Sequence, residues 1–252
     1  MNTVSRHVSW FKAVQIMHRL LVRQLLTKGR LVALLAVGFA YLAFATLVVR
    51  SNASTSTDQE LLRVAVELMA NLGFTLVVPI VSLVFASAAF GDLNEDSTLV
   101  YIWLRPMDRM PVVLGAWFAA VTVSLPLILL PLLLSTLFSY VDGSLVTSTL
   151  LAVLIVNLAY CAVFLFLGLL TKNAVVWGIG YILIWEGFVS QISELGGRIA
   201  IRGYARSTMQ VITDVNLVNG QPSLVISILV PASMVLVALV LSTLRLRSLN
   251  VD

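Results

Sequence analysis

Charge is what this chain has least of: only 11% of its 252 residues are Asp, Glu, Lys or Arg, against roughly 25% in soluble domains. With 60% hydrophobic residues and a mean hydropathy of +1.01, it reads as an integral membrane protein. Apolar spans and short connections use up its length, leaving no room for a soluble catalytic domain. Its one cysteine, Cys161, lies inside an apolar run and excludes an internal disulfide. Its two histidines, His7 and His18, stand alone, and without a His-Glu-x-x-His pair a metalloprotease reading fails. No Gly-Lys-Ser or Gly-Lys-Thr closes a glycine-rich loop, so a phosphate-cradling ATP site of that kind is excluded. Its serines lack a nearby span-borne histidine, which leaves no intramembrane Ser-His pair. No enzyme is expected, and no metal site or cofactor.

What the chain does have is long apolar runs. Six are long enough to span a bilayer: Leu31 to Val49, Leu68 to Phe90, Val112 to Phe138, Thr147 to Leu170, Ala174 to Ile192 and Leu224 to Leu244. The fifth is diluted by Trp185, Glu186 and Gln191. The whole chain, 1–252, is then one transmembrane domain, with 1–30 as an amphipathic helix, 31–244 as the six-helix region and 245–252 as a tail.

Lys and Arg flanking the spans stay on the cytoplasmic side. Of 16 basic residues, 11 fall on one side under the six-span reading: Arg6, Lys12, Arg19, Arg23, Lys28, Arg30, Arg105, Arg109, Lys172, Arg245 and Arg247. Arg50, Arg63, Arg198, Arg202 and Arg206 fall on the other. Both termini are therefore expected in the cytoplasm. The pI near 9.5 reflects this topology rather than nucleic-acid binding. A cleaved signal peptide is not expected, because about thirty basic, amphipathic residues precede the first span.

Within those residues, Val4, Val8, Phe11, Val14, Met17, Leu21 and Leu25 recur at spacings of three and four, with the basic residues largely off the stripe. A helix lying in the membrane interface is the physical expectation, either as an anchor or as a holder of a cytoplasmic partner. Outside, Thr57-Asp58-Gln59-Glu60 has the spacing of a capping box, predicting a helix that runs into the second span. Pro79 in that span, and Pro126 and Pro131 in the third, each free a backbone carbonyl and favour a kink.

Two regions stand out as candidate sites. The segment from Gly91 to Pro111 is acidic, then apolar, then basic, and its run Leu99 to Leu104 is far too short to span. An apolar patch in a wet loop calls for a cover, either lipid headgroups or a partner protein. The second region joins Glu186, the single acidic residue placed inside a span, to Arg198, Arg202 and Arg206, spaced four apart on one helical face. An intramembrane carboxylate is costly and suspect as a substrate contact, though snorkelling or pairing with an arginine explains it as well. The arginine stripe suits lipid headgroups or an anionic substrate.

The arrangement resembles the ABC type-2 permeases, the membrane subunits of ATP-binding-cassette exporters. Their loop after the second span carries an acidic residue, Gly-Thr-Leu, a few apolar residues, then Pro and Arg, with Gly-Lys at the third span. Here Glu95, Thr98, Leu99, Trp103, Leu104, Pro106, Arg109 and Gly115 stand at those positions, while Ser97 and Ala116 depart from the pattern. The resemblance implies an all-α membrane fold of six transmembrane helices, with an N-terminal cytoplasmic amphipathic helix. It further implies a cytoplasmic coupling helix between spans two and three and external helical elements between spans five and six. By that resemblance, Glu95 to Arg109 would dock into a separate ATPase subunit, which carries the ATP and magnesium. The chain would pair with a second copy or a sister permease in the plasma membrane, of the bacterial inner-membrane kind, forming the substrate path. A membrane scaffold or regulator recruiting another cytoplasmic partner is the alternative, and a secondary transporter is disfavoured by the scarcity of midplane ionisable residues.

Overall fold

A computed structural model describes residues 9–53, 56–95, 108–189, 200–217 and 222–248. The described residues are helical with short connections: α1 (Trp10–Leu25), α2 (Lys28–Asn52), α3 (Asp58–Leu68), α4 (Val78–Glu95), α5 (Arg109–Ser139), α6 (Gly143–Leu170), α7 (Ala174–Gly180), α8 (Ile201–Thr213) and α9 (Leu224–Ser248). Two π-helical segments interrupt the pattern: Met69–Val77 joins α3 to α4, and Tyr181–Val189 continues α7.

Five helices are long and apolar enough to cross a membrane: Lys28–Asn52, Asp58–Asp92, Arg109–Ser139, Gly143–Leu170 and Leu224–Ser248. This makes the chain an all-helical protein compatible with a multi-pass membrane protein. The expected fifth span appears as a shorter apolar helix, Ala174–Phe188, below the roughly 20 residues of a full crossing. Its outer part, to Ile192, lies outside the described residues, so the described helices supply five full-length spans rather than six.

Helix α6 is the centre of the bundle, packing against α4, α5, α8 and α9. Tyr160, Phe164 and Leu165 on it are fully buried. Its contact with α4 is close: an ideal Cβ on Gly168 would lie 2.6 Å from the carbonyl oxygen of Ser87, so only glycine fits where the two backbones meet. A polar knot ties α4, α5 and α6 about three turns earlier on α6. Asn157 Oδ1 accepts from Ser82 Oγ at 2.8 Å and from Ser124 Oγ at 3.0 Å. Cys161, free and buried, donates to the same oxygen at 3.5 Å. Interhelical bonds of this kind hold helices together where apolar side chains alone give no preference over lipid, even though Asn157 Nδ2 has no partner among the described residues.

Helices α2 and α9 pack on the outside. On α2, Leu34, Tyr41, Ala45 and Val49 are buried, whereas Val32, Phe39, Phe44 and Leu47 are exposed. A helix apolar on every side yet buried along one stripe is suited to a lipid environment.

Side chains cap two helix starts, the first as the sequence predicts. Thr57 and Glu60 form the capping box of α3, with the Thr57 N–H donating to Glu60 Oε2 at 2.8 Å. Asp142 caps α6 by accepting from the Ser144 and Leu145 N–H groups at 2.8 and 3.0 Å. The N-terminal helix forms, with part of its predicted apolar stripe packed on the protein. The face of α1 carrying Ala13, Met17, Leu21 and Leu25 is buried against α5, while Phe11, predicted on that stripe, is 78% exposed. Val4 and Val8 lie outside the described residues.

Candidate functional site: a buried carboxylate between two widened helices

A proline explains where the first π segment ends. Pro79 has no N–H to return to the preceding turn, and just before it the Val78 N–H bonds to the Gly73 carbonyl five residues back, the π spacing. Such a widened turn opens backbone and side-chain oxygens to outside donors. Two arginines of α8 use them. Arg202 donates from Nη1 to Thr75 Oγ1 at 3.3 Å, and Arg206 donates from Nη2 to Asn71 Oδ1 at 2.7 Å and from Nε to the Ala70 carbonyl at 3.4 Å. Arg202 is only 4% exposed. Arg202 and Arg206 share one face of α8, and that face turns toward the protein rather than toward solvent.

The second π segment carries Glu186, which is 1% exposed. Tyr160 of α6 donates to its Oε2 at 2.5 Å, Tyr181 donates to Oε1 at 3.2 Å, and the Ile201 N–H donates to the same Oε1 at 3.1 Å. Ile201 is the first residue of α8, so Glu186 caps a helix fifteen residues downstream. The helix dipole, positive at that end, favours the charge there. Arg202 adds its positive charge to the same carboxylate. A desolvated carboxylate needs such compensation: neutral donors, a helix terminus and a guanidinium together offset the loss of water. Glu186 therefore neither snorkels nor sits at an exposed interface.

Chemically, the cluster holds a carboxyl group in place and ties three parts of the chain together. Among the described residues, no group of three His, Cys, Asp or Glu side chains is placed to bind a metal. Tyr160 and Tyr181, which complete the site, carry no sequence signal beyond being tyrosines in apolar helices. The spacing of Tyr181 from Glu186, five residues, is a neighbour relation in a π-helix rather than an α-helix.

Of the other predicted positions, Thr98, Leu99, Trp103, Leu104, Pro106 and Arg198 lie outside the described residues. Glu95 ends α4, and Arg109 begins α5. These two helices pack together, which brings the two ends of the 96–107 segment to the same part of the bundle.

No protein-family model matches the chain, and no curated protein matches it significantly.

Proposed function

We propose that this chain is the membrane permease subunit of an exporter driven by a separate ATP-hydrolysing subunit, as the ABC type-2 pattern suggests. The observation that carries the reading is the pattern from Glu95 to Gly115, interposed between the paired helices α4 and α5. Leu99, Trp103 and Leu104 would then meet the ATPase surface, with Glu95, Thr98, Pro106 and Arg109 shaping and framing the contact. Two copies, or one copy with a sister permease, would enclose the path, with six crossings and both termini in the cytoplasm. Closure of the ATPases would bias each permease between two rigid arrangements. Substrate is left open by the residues present. Glu186 is better suited to holding the frame than to touching cargo, because its oxygens already receive three internal donors.

Affinity purification of the full chain from its native membrane tests the proposal. A stoichiometric ATPase partner is the expected result. Recovery without any ATPase, together with a different cytoplasmic partner, would favour the membrane scaffold instead.

A further inference from the structure

We propose that the elbow between α1 and α2 is a bracket holding both stems of the 96–107 segment, with Arg30 and Asp92 as its releasable arm. Arg30, in the first turn of α2, grips Asp92, near the end of α4, through two parallel bonds: Nη1 to Oδ2 at 2.8 Å and Nη2 to Oδ1 at 2.9 Å. The side chains are 32% and 25% exposed, so water screens the contact only in part. Paired forks of this kind fix geometry as well as charge.

The placement argues for a tertiary role. A cation at a helix start and an anion at a helix end each oppose the helix dipole. Neither residue improves its own helix, whereas each compensates the other across 62 positions of chain.

The second arm reaches α5. An ideal Cβ on Gly115 would lie 2.6 Å from Met17 Cβ and 2.9 Å from the Val14 carbonyl oxygen, so α1 rests directly on the α5 backbone. About two turns further along α5, His18 Nε2 lies 3.1 Å from Thr122 Oγ1. Only Leu26 and Thr27 separate α1 from α2, and both N–H groups are bonded back, to the carbonyls of Val22 and Leu25. The elbow is short and internally bonded, and the two helices it joins reach the stems, α2 through the Arg30–Asp92 ion pair and α1 through its contact with Gly115. Displacement of either stem is thereby passed to α1 and α2. The functional importance of this rests on the proposed coupling role of the 96–107 segment, but the bracket does not.

Hydrogen exchange followed by mass spectrometry on the full chain in lipid nanodiscs tests it, using Arg30→Gln, Asp92→Asn and the double variant. Each single change should speed amide exchange about tenfold in the last turns of α4 and the first turns of α2, a size set by losing charge-assisted bonds. The double variant should add little to either single, and the exchanged pair Arg30→Asp with Asp92→Arg should recover most of the protection. Wild-type exchange in both singles, or strictly additive effects, would overturn the bracket. Should a single variant be unrecoverable, Gly115→Ala provides the independent arm, with faster exchange in α1 expected and unchanged exchange counting against the proposal. Loosened stems with undiminished ATPase recovery would leave the bracket standing and count against the coupling reading.

Discussion

Tyr160 and Glu186, 26 positions apart, meet through a 2.5 Å hydrogen bond inside the bundle. Removing the carboxylate would leave the Tyr160 and Tyr181 hydroxyls and the Ile201 N–H without their acceptor. Glu186→Leu should therefore cost about 3 to 5 kcal/mol, the range for breaking a buried charged contact. Glu186→Gln, which retains one acceptor oxygen, should cost about 1 to 3 kcal/mol. Thermal unfolding in detergent measures both. Equal, negligible losses would show that the carboxylate is not a structural keystone.

The Asn157 knot should behave more mildly. Ser82 Oγ also reaches the Val78 carbonyl at 2.7 Å, and Ser124 Oγ the Val121 carbonyl at 3.4 Å, so both hydroxyls keep a partner when the amide is lost. Asn157→Leu should lower stability by about 1 kcal/mol, as interhelical bonds in membranes typically do. The same unfolding assay distinguishes this from a loss comparable to that of Glu186→Leu.

Gly168→Val should be severe, because its branched side chain meets the Ser87 backbone rather than a movable side chain. Separation of α4 from α6 should cost about 1 to 3 kcal/mol or more, in the range for overpacking, and appear as lower folded yield. Gly143→Ala, at a position with nothing within 4 Å of an added Cβ, serves as the control.

Asp142 predicts an acid dependence. Bonds from the Ser144 hydroxyl and from the Leu145 and Ser144 N–H groups hold its carboxyl below the ordinary value of 3.8. A depressed folded-state value contributes stability above the unfolded one, and that contribution disappears as pH falls through the folded value. Asp142→Ala should cost about 1 kcal/mol near neutral pH through loss of the cap, and the difference from wild type should shrink below pH 3.8. A difference independent of pH would assign the loss to packing instead.

For the proposed permease, Trp103→Ala should reduce co-purified ATPase while leaving membrane insertion unchanged. An interfacial anchor of this type is worth about 2 kcal/mol or more, equivalent to at least a tenfold loss of affinity. Undiminished ATPase recovery would remove Trp103 from the contact.

The long spans were legible because apolar length is a property of each segment alone. The start of α3 was legible too, since Thr57 and Glu60 satisfy its first donors locally. The site was legible only by half. Glu186 announces itself as a carboxylate in an apolar run, but an exposed-pair reading would assign it about 0 to 1 kcal/mol, and only tertiary burial raises that figure. Its tyrosine partners depend on how α6 and the second π segment come together, which no spacing along one helix encodes. Likewise, the stripe of α1 suits a bilayer surface and a protein groove equally well, and Gly115 decides for the latter by admitting Met17.

The π winding of Met69–Val77 sets the register of the helix that follows it. Each residue absorbed into or released from the wide turns changes the register of the following helix by about 100° of rotation and 1.5 Å of advance. Thr75 and Asn71 would leave Arg202 and Arg206 with such a step, while Pro79 bars an ordinary α-helical bond at the boundary. The two arginines thus bond to a single register of the span, and any other register would leave them without those acceptors.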